Sequence, residues 1–486
     1  MSFLRRFFVC CILSTGVSAQ VDTLNLPDIG DSTGSLLSPE NERRLGQAFL
    51  SHVRRQADLD EDPEVETYVQ SIGYRLVAHS DNNTQGFTFF VIDDPQINAF
   101  AAPGGIVGIN SGTIMAADTE SELAGVVAHE ISHVTQKHMA RSAEMQSQMS
   151  LPMMAAMIGA ILIATQNPDA GQAAIMAVQG GVAQAQINFT RHNEEEADRV
   201  GMQLLERSEF DPRGMTRFFE KLSKNSRYTA NAPEFLRTHP LTTNRIADAQ
   251  ARADMLPRKD KYDESASFQL VRAKLIARSI RDPSTAVQHF KDELARAEQV
   301  DPGGVLRYGL SIALTEAGDF SAARSLLGSL LGKDPENSAF LLAAADVEVR
   351  AGDFQASYAF FDRAERLYPD YRPLVLNYSR TLLQAGEPAK ARDLLKRYGK
   401  THEPDLTYYE YLARAEAESG NEVESAMANA EYYYLGGETR VAIERLKYIL
   451  RNQRPAPDYY QQERIHARLA YLEQELQFEI DLGLAR

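Results

Sequence analysis

Apolar residues recur about once per helical turn over most of the chain. Near the N-terminal end, Leu45, Phe49 and Val53 would lie along one face of a helix. A further helix is predicted to begin after Thr119, because Thr119 and Glu122 have the spacing of a capping box. Helix is therefore the dominant structure that the pattern predicts.

Two stretches have the composition of β-strands instead. Residues 87–92 are rich in phenylalanine and β-branched residues, and residues 98–110 contain two short apolar runs on either side of Pro103-Gly104-Gly105. A Pro-Gly-Gly sequence between two apolar runs is typical of a turn. The sequence thus predicts a mostly α-helical fold with a small β-hairpin or sheet.

The C-terminal half contains a repeat. Gly318, Gly352, Gly386 and Gly420 follow one another at equal intervals, and the fifth residue after each is alanine or serine. The length of the interval and the small residues resemble the tetratricopeptide pattern of paired helices, which stack into an α-solenoid. After Gly420 the spacing breaks, because Gly437 comes after only half that interval, so one helix is predicted to serve two units there.

Composition and charge narrow the possible functions. The chain has 486 residues, which is long enough for two or three domains, and its formal net charge is −16. Such an acidic surface argues against nucleic acid as a partner and against adsorption to anionic lipid.

The first 19 residues predict a signal peptide. Two arginines precede the apolar run 7–13, and small residues lead up to Ala19, after which cleavage is expected. The apolar run is too short to cross a bilayer. Cys10 and Cys11 lie within the removed segment, so the mature chain would have no cysteine. The expected location is the periplasm of a Gram-negative bacterium.

The candidate chemistry begins at His129-Glu130-Ile131-Ser132-His133. Residues four apart share one face of a helix, so His129 and His133 could bind one zinc ion. Zinc lowers the pKa of a bound water to about 7, and Glu130 could take its proton. Short patterns of this kind also occur by chance on surface helices, but the apolar Leu123 and Val127 indicate a buried helix.

A third ligand is expected from Glu194, Glu195 or Glu196, unless these carboxylates simply form a solvated start of a helix. The segment Glu194 to Asp198 resembles the Glu-x-x-Ala-Asp motif of metallopeptidase family forty-eight, a group of gluzincins. The resemblance implies that Glu194 binds the zinc ion. It also implies that Asp198 orients a ligating histidine.

Two further segments resemble the same family. Asn98 to Gly105 is similar to its Asn-Ala-Phe…Pro-Gly-Gly strand, which implies that the residues that follow form an edge strand and pair with an extended substrate. Those residues are Ile106, Val107, Gly108, Ile109 and Asn110.

The segment containing His239 and Arg245 resembles the family's His-Pro-x-x-x-x-Arg-Ile. Three roles remain open for His239: a structural histidine, a group that stabilises the oxyanion, or a fourth zinc ligand that keeps the enzyme latent. Arg245 would stabilise the transition state or pair with an acidic neighbour.

An apolar insert lies between the two metal-binding segments. Residues 151–164 are unusually rich in methionine, alanine and isoleucine, and the run is too short to span a membrane. It would be either a buried helical hairpin or an exposed surface acting as a lid or a membrane-proximal contact.

The expected organisation has four parts: a signal peptide at 1–19, a zinc metallopeptidase domain at 20–253 with the insert at 145–190, a linker at 254–264, and a tetratricopeptide-repeat domain at 265–486. The combination resembles exported members of family forty-eight. That resemblance implies an endopeptidase that degrades misassembled outer-membrane proteins, assists their assembly and docks on the assembly machinery through its repeats. The alternative is a latent or non-proteolytic chaperone or adaptor that acts through the repeat domain.

Overall fold

A computed structural model describes residues 39–81, 86–145, 183–228, 233–257, 265–453 and 456–481, with isolated positions at 159–171, 259 and 262. The predicted signal peptide and most of the apolar insert lie outside these residues. Among the residues described, no helix combines the length and the apolarity that crossing a membrane requires.

The N-terminal part consists of helices around a small sheet. Its elements are α1 (Pro39–Gln56), α2 (Pro63–Val77), β1 (Thr88–Ile92), β2 (Ala99–Ala102), β3 (Ile106–Asn110), α3 (Ser111–Ala116), α4 (Glu120–Thr135), α5 (His138–Met145), α6 (Ala183–Arg207), α7 (Arg213–Tyr228), α8 (Phe235–Thr238) and α9 (Thr243–Met255). The mostly helical fold with a small sheet is therefore confirmed.

The sheet has the strand order β1-β3-β2. β1 runs parallel to β3 with Thr88 opposite Ile106, and β2 runs antiparallel to β3 with Ala102 opposite Ile106. The predicted hairpin around Pro103-Gly104-Gly105 is present. The prediction that Ile106 to Asn110 form an edge is wrong, because both sides of β3 are already paired. The edge beside this hairpin is β2.

The predicted start of α4 is also present. The Thr119 hydroxyl accepts a hydrogen bond from the Glu122 N–H at 3.2 Å. The Glu122 carboxylate accepts from the Asp118 N–H, one residue before the position that a capping box would use. It also binds Lys221 of α7 at 2.8 Å, so the start of α4 is tied to a second helix.

The C-terminal part is a stack of paired helices. These are α10 (Ala266–Ser279), α11 (Pro283–Arg296), α12 (Val305–Glu316), α13 (Phe320–Lys333), α14 (Ser338–Arg350), α15 (Phe354–Leu367), α16 (Arg372–Gln384), α17 (Pro388–Tyr398), α18 (Leu406–Glu418), α19 (Glu422–Leu435), α20 (Thr439–Asn452) and α21 (Tyr459–Asp481).

The repeat glycines occupy the turns between paired helices. Gly318, Gly352, Gly386 and Gly420 all have φ between 76° and 81°, which glycine adopts without steric cost. Gly437 has φ 82° and lies at the end of α19, which itself begins just after the Gly420 turn. One helix therefore closes one unit and opens the next, as the shortened spacing predicted.

Helix α10 joins the two parts of the molecule. Phe268, Val271 and Leu275 belong to the core that α2, α4 and the sheet build. Leu270 and Ala273 belong to the first core of the solenoid. Because one helix contributes to two hydrophobic cores, the first repeat is fixed directly onto the N-terminal domain.

Buried ion pairs reinforce this junction. Lys274 of α10 lies 2.7 Å from Asp62, which caps α2, and also contacts Glu64. Arg372 of α16 binds Glu66 of α2 at 2.6 Å. The start of α2 is therefore paired with two helices of the solenoid, α10 and α16.

We expect Lys274→Met to lower the free energy of unfolding by about 3 to 5 kcal/mol, because Glu64 would be left buried without its cation and Asp62 would keep only Arg278. Urea denaturation followed by circular dichroism measures this. Lys291→Met is the matched control, since Lys291 is exposed on α11. A loss below about 1 kcal/mol, the value of a surface pair, would contradict the importance of this junction.

Candidate metal centre

Two histidines of α4 point their Nε2 atoms at each other. His129 and His133 are one turn apart on a helix whose preceding turns are buried, and their Nε2 atoms are separated by 3.1 Å. The apolar positions Leu123 and Val127 pack into the domain core. The alternative of an accidental pattern on a surface helix is therefore wrong.

Glu194 reaches the same point from α6. Its carboxylate oxygens lie 3.4 Å from His129 Nε2 and 3.4 Å from His133 Nε2. Glu195 is exposed and faces away, and Glu196 contacts other residues, so neither of them shares this position. Helix α6 begins at Ala183, well before the predicted start of helix at residue 194.

His239 completes the cluster. Its Nδ1 atom lies 3.1 Å from both oxygens of Glu194 and 3.3 Å from His129 Nε2. The potential ligand atoms of His129, His133, Glu194 and His239 all lie within 4.8 Å of one another. Three histidine nitrogens and a carboxylate thus converge from α4, α6 and the residue that follows α8.

The spacing of these atoms fits a tetrahedral metal ion. Bonds of about 2.0 to 2.1 Å to nitrogen and oxygen, as zinc forms them, place tetrahedral ligand atoms about 3.3 Å apart. Five separations between these groups, 3.1 to 3.4 Å, agree with that value. Four such donors without a cation between them would be a costly arrangement to bury.

Asp198 and Arg245 support the cluster from behind. His129 Nδ1 lies 3.0 Å from Asp198 Oδ1, which orients the ring so that Nε2 faces the other ligands. Arg245 donates two hydrogen bonds of 2.8 Å to Asp198 and lies 2.9 Å from Glu194. Its guanidinium pairs with acidic neighbours, which is the second of the two roles that the sequence left open.

A second supporting group holds His133. His138 Nδ1 is 2.9 Å from His133 Nδ1, and its other nitrogen is 3.1 Å from Glu196. Arg141 binds the same carboxylate at 2.7 Å. Sequence reasoning missed the role of Glu196. Glu196 follows Glu194 by two residues and therefore lies on a different face of α6. This spacing could have indicated a role other than that of a metal ligand.

Glu130 is fully buried, and neither of its oxygens has a hydrogen-bond partner among the residues described. Burial raises the pKa of this carboxyl, and the nearby His239 and His129 act in the opposite direction. His239 Nε2 is 3.5 Å from Glu130 Oε1. A buried carboxylate that the protein itself does not satisfy is suited to accept a proton from an incoming molecule.

The pKa of Glu194 shifts in the opposite direction to that of Glu130. Burial alone would raise its pKa, but His239 and His133 hold it well below the usual range. Glu194 therefore remains an anion and a suitable metal ligand.

A further buried carboxylate lies just before α8. Glu234 is 3% exposed, and both of its oxygens are without a hydrogen-bond partner in the described part of the chain. Burial and the neighbouring Asp94 raise the pKa of Glu234 to about 7, against a smaller opposite effect of Arg237. Nothing in the sequence around Glu234 indicates this environment, because Asp94 belongs to a distant segment of the chain.

The fold and the cluster define a metallopeptidase with a repeat domain, and comparisons with known proteins agree. The profile of Peptidase family M48 matches residues 63–253, and that of a tetratricopeptide repeat matches residues 348–416. The beta-barrel assembly-enhancing protease of Escherichia coli (strain K12) is 37% identical over 421 residues, which are 87% of this chain and 86% of that protein.

Two other relatives extend the comparison. The putative beta-barrel assembly-enhancing protease of Vibrio cholerae is 36% identical over 91% of this chain and 92% of its own length. The mitochondrial metalloendopeptidase OMA1 of Schizosaccharomyces pombe is 29% identical over 37% of this chain and 50% of its own length. The chain belongs to Peptidase family M48, together with the beta-barrel assembly-enhancing proteases, and is a metalloendopeptidase.

We expect Glu234→Gln to stabilise the protein at pH 8. The raised pKa means that ionised Glu234 is penalised in the folded state, so the penalty is absent below about pH 4.5 and complete above about pH 7. The gain should be about 3 kcal/mol at pH 8, since the pKa rises from 4.5 to about 7 and one pKa unit corresponds to about 1.4 kcal/mol.

Thermal unfolding at pH 8 and pH 4.5 tests this prediction. Glu206→Gln, an equal charge change at an exposed position of α6, should leave the melting temperature unchanged at both pH values. A melting temperature of Glu234→Gln that is lower than that of the wild type at pH 8 would refute the assignment of an unsatisfied carboxylate.

Proposed function

We propose that this chain is a periplasmic zinc-dependent endopeptidase that degrades misassembled outer-membrane proteins and assists their assembly. The observation that carries the catalytic part is the convergence of four donor atoms, all within 4.8 Å of one another, beside the unsatisfied carboxylate of Glu130. The names of the two bacterial relatives support the substrate class. Export by residues 1–19 is part of the proposal.

His129, His133 and Glu194 would hold one zinc ion. Zinc, when bound, supplies a Lewis acid that acidifies water and polarises a carbonyl group. Glu130 is placed to accept the proton of the attacking water and to pass it to the leaving amine. Its burial disfavours the anion, so the carboxylate gains by taking the proton up. Asp198 and Arg245 act as positioning residues, since both hold the ligands rather than face the reacting atoms.

His239 would regulate this site. Three ligands and one open position are typical of catalytic zinc sites, whereas four protein ligands are typical of structural ones. With Nδ1 at 3.1 Å from Glu194, His239 occupies the position that substrate or water needs. The resting form is therefore latent, and cleavage requires His239 to move away. This position favours the fourth-ligand role over a purely structural histidine.

The substrate would pair with the free edge of β2. The Asn110 N–H donates to the Asn98 carbonyl. From this hydrogen-bonded pair onward, residues of β2 alternate between bonding to β3 and pointing their backbone groups away from it. Phe100 and Ala102 consequently point their backbone groups at β3, and Ala99 and Ala101 point theirs outward. Ala101 and Ala102 also line one small cavity with His133, so this edge runs beside the metal site.

The repeat domain would mediate docking on the outer-membrane assembly machinery. Because the start of α2 is paired with α10 and α16, the surface open to a partner lies elsewhere on the solenoid. A membrane-proximal contact through residues 145–190 is part of the same proposal. The fourth-ligand position of His239 favours one competing function, a chaperone or adaptor that does not cleave at all.

We expect zinc-loaded His239→Ala to cleave unfolded porin faster than the wild type, because the fourth ligand is removed. Adding Glu130→Gln to either protein should slow cleavage about 10²- to 10⁴-fold, because the general base is lost. Glu130→Gln should still bind one zinc ion per chain, which metal analysis checks. Glu206→Gln serves as a control for an unrelated charge change. Inert wild type and inert His239→Ala, both loaded with zinc, would favour the adaptor.

We expect Ala101→Pro in the His239→Ala background to lower kcat/KM for an extended peptide about tenfold, the value of one lost hydrogen bond at the edge. Folding should be preserved, because the Ala101 N–H points away from β3 and proline is tolerated on edge strands. Ala101→Ser keeps the N–H and is the control. Equal kcat/KM for the two variants would exclude substrate pairing at Ala101.

A further inference from the structure

Two described carboxylates have both oxygens buried without a hydrogen-bond partner, Glu130 and Glu234. Other buried acids of the N-terminal domain are paired: Glu194 with Arg245, Glu122 with Lys221, and Glu64 with Lys274. A buried unsatisfied carboxylate costs free energy and calls for an explanation. Glu130 has one in the proposed chemistry, whereas Glu234 takes no part in it.

Glu234 lies at the end of the substrate edge. The Phe235 N–H donates to the Ile97 carbonyl at 3.2 Å. This carbonyl lies just before β2 and faces the free edge, so it is no longer available to a substrate strand. The free edge that a substrate strand could use therefore stops at Ala99. A side chain at that end of the substrate would meet the start of α8, where Glu234 is buried.

The same short helix is in contact with the metal centre. The Phe235 ring stacks on His239 with a centroid distance of 4.8 Å and lies 6.2 Å from His129. Glu234 directly precedes Phe235, whose ring contacts His239 and whose N–H binds the Ile97 carbonyl. Glu234 therefore lies close to both the metal cluster and the end of β2, and it is not a metal ligand.

The surroundings of Glu234 are negative. Asp94, in the turn between β1 and β2, is the neighbouring charge that most opposes its ionisation. Asp94 Oδ1 accepts from the Gln96 N–H, and the residue is half-buried. Arg237 is exposed and forms no ion pair with Glu234 in the part of the chain that the structure describes. Among the described residues, Glu234 therefore has a second carboxylate in its surroundings and no cation paired with it.

We propose that Glu234, assisted by Asp94, forms a subsite that binds a lysine or arginine side chain of the substrate strand at the Ile97 end of β2. A cationic side chain would satisfy both orphaned oxygens of Glu234 and offset the repulsion by Asp94. The preference would add sequence selectivity to an edge that otherwise recognises backbone alone. The inference rests on the proposed endopeptidase function for its substrate.

Peptide binding to the zinc-loaded full chain carrying Glu130→Gln tests this, because binding is then read without cleavage. The probes are fluorescein-labelled extended peptides with one lysine moved through successive positions, each paired with the same peptide carrying acetyl-lysine, which lacks the charge. At one position lysine should bind at least about tenfold tighter than acetyl-lysine, as expected for a buried charge-assisted hydrogen bond.

Adding Glu234→Gln should reduce that ratio to about one while acetyl-lysine peptides keep their affinity. Asp94→Asn should lower the ratio partly, and Glu206→Gln should preserve it. A thermal melt of each variant verifies folding. The proposal is overturned by a ratio near one at every position, by a ratio that survives Glu234→Gln, or by peptides that do not bind.

The outcome is separable from the proposed function. If zinc-loaded wild type and His239→Ala fail to cleave any peptide but the Glu234-dependent ratio is present, the endopeptidase proposal falls and the subsite stands. If peptides are cleaved but lysine and acetyl-lysine bind alike, the subsite falls and the endopeptidase proposal stands.

Discussion

The charge balance around Arg245 is the constraint on which the metal centre depends. Two buried carboxylates, Asp198 and Glu194, come from one face of α6, and a single guanidinium from α9 lies 2.8 to 2.9 Å from both. Because Asp198 in turn orients His129, the arginine fixes a residue of α4 without touching it. Three helices distant in sequence are held in register by this one cation. A bound metal ion would add a second positive charge to Glu194, which already pairs with Arg245.

The sequence was sufficient wherever the determining contact is local. The His129 and His133 pair, the Thr119 cap and the position of Asp198 one turn after Glu194 all follow from helical periodicity, which a few neighbouring residues decide. The solenoid was predictable for a similar reason. Each glycine at a repeat turn needs a positive φ, and that requirement recurs with the repeat.

Contacts between distant segments were not predictable in the same way. The order β1-β3-β2 depends on a parallel pairing of β1 with β3, and the local pattern of Ile106 to Asn110 is the same for a central and an edge strand. The buried state of Glu234 and the contact of Glu196 with His138 depend on segments that are far apart in the chain. The position of His239 was left open between three roles, because only the tertiary fold brings it to Glu194.

Helix α1 connects the β2–β3 turn to the far end of the solenoid. Gly46 lies against the β2–β3 turn so closely that an added Cβ would overlap the Pro103 carbonyl. From the same helix, Arg54 donates to the Leu435 carbonyl at the end of α19, and Arg44 covers the Phe478 ring of α21 at 3.7 Å. The absence of a side chain at Gly46 is what allows α1 to approach the turn this closely. Helix α1 therefore contacts both the β2–β3 turn and the last two units of the solenoid, so it joins the first strands of the chain to its final helices.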